Sequence, residues 1–164
     1  MIRTFARLSL FASLIAAAAA HAQMRCSDLP VLLIVQDKSG SMNQVPNPAN
    51  TATPTKWASA QTAVPQLVQQ FANRFDFGVF MFPGATTQFN CTTGAVVSAV
   101  PSSPTQVQTV YTNAVPGGGT PTATSLLQAK AYIQSLNLGP NRPAYVLLLT
   151  DGLPNCNLAL NTST

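Results

Sequence analysis

VLLIVQDKSGSM, residues 31–42, passes from apolar to polar between two neighbouring positions. Pro30 to Gln36 is short, continuous and rich in Val, Ile and Leu, the pattern of a strand buried on both faces. Such burial is typical of a central strand in a parallel sheet. Asp37, Lys38, Ser39, Gly40 and Ser41 then stand at its carboxyl end. In open parallel sheets, sites form outside the carboxyl ends of the strands. A turn or a helix cap explains the same residues when they are read alone.

The remaining pattern places this strand in a sheet. Asn43 to Thr55 is a polar loop with three prolines. Trp57, Val64, Leu67, Val68, Phe71 and Phe75 recur at three-to-four spacing and predict a helix with one apolar face, which Pro65 kinks or divides. Phe77 to Phe82 and Gly94 to Val100 predict two strands, and their short connection favours an antiparallel hairpin. Helices are expected over Thr105 to Val115 and after Pro121, and a last buried strand over Ala144 to Leu149. The order is βαββααβ, an α/β fold with a doubly wound, mostly parallel sheet and one antiparallel strand. Trp57, Phe71 and Phe75 are read as core, and Lys38 as pointing to solvent.

Composition narrows the function. Residues 1–22 carry Arg3 and Arg7, an apolar run from Leu8 to Ala20, and Ala20-His21-Ala22 as a small-x-small cleavage site. This is the signature of a secretory signal peptide, the run being short for a membrane span. An uncleaved anchor is the alternative. Arg25 before Cys26 does not fit a lipoprotein box. Residues 23–164 then hold six cations against four acids, a net charge of +2. The cations are scattered, so the chain lacks the basic stripe that nucleic acid or an anionic membrane requires. The four acids are Asp28, Asp37, Asp76 and Asp151, with no glutamate, and two of them fall at strand ends. The lone histidine, His21, lies in the signal segment, which excludes a serine hydrolase triad from the mature chain. Three cysteines, Cys26, Cys91 and Cys156, follow an export signal without zinc-ligand spacing.

Three segments point to one crevice: Asp37-x-Ser39-x-Ser41, Thr120 after Gly117-Gly118-Gly119, and Asp151 before Gly152. The donors are two carboxylates and three hydroxyls. A hard cation such as Mg²⁺ takes six oxygens in a near-octahedral array. Spacing by two lets a tight turn wrap one ion, and the glycines let backbone approach closely.

This set resembles the metal-ion-dependent adhesion site of von Willebrand factor type A domains, the family that includes the integrin inserted domains. Its motif is Asp-x-Ser-x-Ser after the first strand, a Thr, and an Asp after the fourth. Asp37, Ser39, Ser41, Thr120 and Asp151 fill the five positions in order, and the likeness extends from about Pro30 to Asn157. It implies strand order 3-2-1-4 for the strands present, with the antiparallel strand at an edge. It further implies a binding module rather than an enzyme. Mg²⁺, with Mn²⁺ or Ca²⁺ as alternatives, would contact Ser39, Ser41 and Thr120 directly, and the aspartates directly or through water. One coordination position would remain for a carboxylate of a protein ligand. Neutral hydroxyls leave the ion able to attract such a group. The expected location is secreted, periplasmic or cell-surface, without membrane insertion of the mature chain.

Other readings are a structural or assembly component with an unused metal site, and a metal-assisted hydrolase. Ser39 stands where a haloacid-dehalogenase phosphatase needs its second Asp, and GGGTPT lacks the lysine of a phosphate loop. The family's sheet has two further strands and a helix after the second aspartate. Here 13 residues follow Asp151, so the domain is expected to be truncated by roughly 50 residues and its fourth strand left as an apolar edge. Cys91 and Cys156 are both placed on the metal-site face of the family fold, which suggests a bridge between them. Cys26 is left as the odd thiol or paired elsewhere.

Overall fold

A computed structural model describes residues 29–88 and 90–156. The signal segment and Cys26 lie outside the described residues. The elements run β1 (Val31–Asp37), a 3-10 turn (Gly40–Asn43), α1 (Lys56–Phe71), β2 (Asp76–Phe82), β3 (Ala95–Ser98), α2 (Pro104–Asn113), α3 (Thr122–Ser135) and β4 (Ala144–Leu149). The sheet has the order β3-β2-β1-β4. β1 pairs in parallel with β2, Val31 opposite Asp76 through Asp37 opposite Phe82. It also pairs in parallel with β4, Val31 opposite Ala144 through Gln36 opposite Leu149. β3 is antiparallel to β2 and carries an irregularity at Val79/Phe80. This is the expected mostly parallel, doubly wound sheet.

The continuous apolar run of β1 is explained by its two covered faces. Ile34 faces α1 and α2 in a cluster with Trp57, Val64, Val68, Phe77, Met81, Val107 and Tyr111. Leu33 and Val35 face the other way and pack with Phe80, Phe82 and Ala129 of α3. The ring of Trp57 stacks on Tyr111 at 5.6 Å, joining α1 to α2. Trp57 is buried, whereas Phe71 and Phe75 are partly buried at the margin of the same cluster.

Helix ends follow local chemistry. Thr55 caps α1 by accepting from the Ala58 N–H. Ser103 and Gln106 form a reciprocal capping box at α2, with Pro104 in its first turn. Two expectations are corrected. α1 continues through Pro65, which is buried inside it, so the proline does not divide the helix. The helix also ends at Phe71, and Phe75 belongs to the turn before β2.

The outer strand differs from the inner one. β4 is apolar, yet Tyr145 is 52% and Val146 43% exposed, because β1 flanks it on one side only. A groove of about 430 Å³ lies between α1 and β4, lined by Ala60, Val64, Leu67, Leu147 and Leu149 and reaching Lys56 and Asp151. Among the described residues, no helix is long and apolar enough to cross a membrane.

Candidate metal centre

Parallel pairing of β1 with β4 sets Asp37 and Asp151 at the same end of the sheet. Asp37 is fully buried. Its Oδ1 accepts from the Ser39 N–H at 2.7 Å, and its Oδ2 accepts from the Thr150 hydroxyl at 2.7 Å. The first bond bends the chain sharply after β1. The following 3-10 turn then brings Ser39 and Ser41 onto one side, their Oγ atoms 3.0 Å apart. Ser41 Oγ donates to Asp151 Oδ1 at 2.9 Å. Ser39, Ser41 and Asp151 thus form one run of oxygens, and the Asp37 carboxylate is tied to it through the Ser39 N–H.

The fifth, Thr120, is buried on a second loop. Its loop is stitched to the first by two backbone bonds: Gly40 N–H to Gly118 O at 3.0 Å, and Gly117 N–H to Lys38 O at 2.8 Å. Gly118 has φ +79°, and a Cβ there would lie 2.6 Å from the Ala85 carbonyl oxygen, so both backbone conformation and space require glycine. Thr120 N–H donates to Asn155 Oδ1 at 2.7 Å. Cys91 and Cys156 form the suggested disulfide next to this loop.

Several contributors were not apparent from the motif. Lys56, at the start of α1, places Nζ 2.7 Å from Asp151 Oδ2. Gln36, buried in β1, donates from Nε2 to the Asp37 carbonyl at 2.6 Å and accepts from the Tyr111 hydroxyl at 2.9 Å. Burial pushes the Tyr111 phenol well above its ordinary range. Lys38 was expected to face solvent; it is instead partly buried, and desolvation lowers its pKa. Gln36 as the polar end of a greasy strand was the one local signal of this network.

Among the described residues, no three His, Cys, Asp or Glu side chains cluster as a metal site. The donor set here instead combines two carboxylates with hydroxyls, and it fits a small, hard cation. Cis oxygens of an octahedron with bonds of about 2.1 Å are separated by about 3.0 Å. The Ser39–Ser41 and Ser41–Asp151 separations, 3.0 and 2.9 Å, match two such edges. The Lys56 ammonium is the counter-observation, since it already neutralises one oxygen of Asp151.

The fold is shared with known structures. The vWF domain of the type V pili tip protein Mfa5 from Porphyromonas gingivalis aligns with TM-score 0.57 and 17% identity, over 77% of this chain and 39% of that one. The PilB minor pilin from Streptococcus sanguinis aligns with TM-score 0.61 and 19% identity, over 79% of this chain and 31% of that one. The manganese-loaded Plasmodium vivax TRAP protein aligns with TM-score 0.50 and 16% identity, over 78% of this chain and 48% of that one. The chain therefore spans less than half the length of each of these structures. No curated protein sequence matches it. The family model for the von Willebrand factor type A domain matches residues 32–153, which cover β1 through the Asp151 turn. With that match across most of its length and the 3-2-1-4 sheet beneath it, the chain belongs to the von Willebrand factor type A domain family.

Proposed function

We propose that this domain binds a divalent cation through Asp37, Ser39, Ser41, Thr120 and Asp151 and uses it to hold an acidic group of a protein ligand. The observation that carries this reading is the run of oxygens Ser39 Oγ, Ser41 Oγ and Asp151 Oδ1, spaced at 3.0 and 2.9 Å. When bound, the ion supplies concentrated positive charge and an open coordination position. Mg²⁺ suits the donor set best, with Mn²⁺ and Ca²⁺ as substitutes. The chain's own residues orient the donors: Thr150 and the Ser39 N–H fix Asp37, while Gly40 and Gly118 fix the two loops together. The pilus-tip and minor-pilin neighbours, and the manganese-loaded one, support an adhesive rather than a catalytic role.

Residues 1–22 act in this reading as a signal peptide, and residues 23–164 as the exported domain at the cell surface, in the periplasm or outside the cell. Neither nucleic acid nor membrane insertion of the mature chain forms part of it.

One observation favours a second reading. The Lys56–Asp151 ion pair occupies a carboxylate that a metal would use, as expected of an assembly component whose site is not loaded. Calorimetric titration with Mg²⁺ and Mn²⁺ separates the two. Binding by the wild type that is lost in Asp37→Ala and Asp151→Ala supports the metal reading; equal heats from all three proteins remove it. Turnover of a phosphate ester that depended on Asp37 would point to a hydrolase instead.

A further inference from the structure

The last candidate ligand, Thr120, sits on a loop held from two sides. Toward the Asp37 loop it is fixed by Gly40 and Lys38, as above. On its other side two consecutive N–H groups are bound. Gly119 N–H donates to the Asn90 carbonyl at 2.8 Å, and Thr120 N–H donates to Asn155 Oδ1 at 2.7 Å. Each acceptor immediately precedes one half of the Cys91–Cys156 disulfide. The bridge also lies against the loop itself, since a Cβ on Gly119 would fall 2.5 Å from Cys156 Sγ. Residues 152–155 are exposed and without regular structure, Leu153 by 89%, so little apolar packing keeps Asn155 in place.

We propose that the Cys91–Cys156 disulfide, acting through Asn90 and Asn155, is a clamp that positions Thr120, so that cation binding depends on the oxidation state of the bridge. The proposal rests on the metal reading above. Groups that orient metal ligands from the outer shell typically change affinity 10–100-fold when removed. Reduction by a phosphine transfers two electrons to the S–S bond. Water supplies two protons and the oxygen that leaves as phosphine oxide, and two thiols remain. The segment carrying Asn155 then loses its covalent tie to Cys91, and the Thr120 N–H loses a rigidly held acceptor. In a compartment that keeps thiols reduced the site is weakened, and oxidation outside it completes the site.

The test is calorimetric Mn²⁺ titration of the full chain carrying Cys26→Ser, which prevents exchange with the third cysteine. It compares the oxidised protein with protein reduced by a phosphine that is then removed. Asn155→Ala, Thr120→Val and their double variant keep the bridge intact. Reduction is expected to weaken binding 10–100-fold, and Asn155→Ala about 10-fold. Asn155→Ala should cost nothing more once Thr120→Val is present, because the two act through one group. A general loss of structure would instead add to the Thr120→Val loss and overturn the positioning role. Equal affinity of oxidised, reduced and Asn155→Ala proteins overturns the clamp while leaving the metal site standing. Absence of Mn²⁺ binding in the oxidised protein overturns the metal reading and the clamp with it.

Discussion

β1 and β4 are neighbouring parallel strands of similar composition, one ending at Asp37 and the other two residues short of Asp151, and they are held very differently. In β1, Val31, Leu33, Ile34 and Val35 are all 0% exposed, whereas Tyr145 and Val146 of β4 stand roughly half in solvent. Asp37 is buried between two neutral donors and backed by Gln36 and Tyr111. Asp151 is anchored by a serine hydroxyl and a partly exposed lysine. One half of the site is built into the core, and the other is attached at a margin. An apolar run therefore reports membership of a sheet; the number of neighbours decides how rigid its end will be.

The sharpest test of this asymmetry is truncation within the two strands. Ile34→Ala removes a side chain packed on all sides and should destabilise the domain by about 2–5 kcal/mol in urea unfolding. Val146→Ala should cost no more than about 1 kcal/mol, given its exposure. Equal costs would mean that β4 is as enclosed as β1.

Cation binding should narrow the difference between the two ends. At a free Mn²⁺ concentration 100 times its Kd, linkage stabilises the folded protein by about 2.7 kcal/mol, read as a raised urea midpoint relative to EDTA. Both Asp37→Ala and Asp151→Ala should abolish that rise.

Without metal the two aspartates should part company. Asp37→Ala leaves the Ser39 N–H and the Thr150 hydroxyl without an acceptor and should cost about 1–3 kcal/mol in EDTA. Asp151→Ala removes the acceptor of the Ser41 hydroxyl and dissolves an ion pair whose lysine is partly exposed, and should cost about 1 kcal/mol, the lower end of the Asp37 range.

The smallest effect concerns the backing of Asp37. Tyr111→Phe removes the donor to Gln36 and should cost about 1 kcal/mol at neutral pH. Its pH dependence has a definite sign. The folded state holds the phenol proton more tightly than the unfolded chain, so wild-type stability is retained below the ordinary tyrosine value of 10.0 and falls as pH rises beyond it. The loss attributable to this group approaches about 1.4 kcal/mol per pH unit, and the Phe variant should lack it.

These contrasts also explain what the amino-acid sequence revealed. The strands, the order of the elements and the turn after Asp37 were legible, because strand periodicity and tight-turn chemistry are local; the pairing of β1 with β4, which brings Asp151 to Ser41 across 110 positions, followed from the family resemblance. The partners that hold them were not. Lys56 reaches Asp151 across 95 positions, Thr150 reaches Asp37 across 113, and Asn155 reaches Thr120 across 35, so no spacing rule links them. Pro65 did not divide the helix because a helix tolerates a proline when the lost bond is offset by packing, and here the ring is buried. Lys38 misled because a charged residue in a site loop reads as solvated, whereas the Gly117 N–H draws its backbone against the second loop.

The disulfide has a bearing on the retention of β4 as well. It spans 65 positions and encloses β3, α2, α3 and β4 within the loop it closes. Cys156 stands seven positions after the end of β4, so the bridge ties the outer strand to the loop before β3. In the chain-entropy model a loop of this length disfavours reopening by about 4 kcal/mol. A strand flanked by β1 on one side is thereby held to the rest of the sheet through a covalent bond.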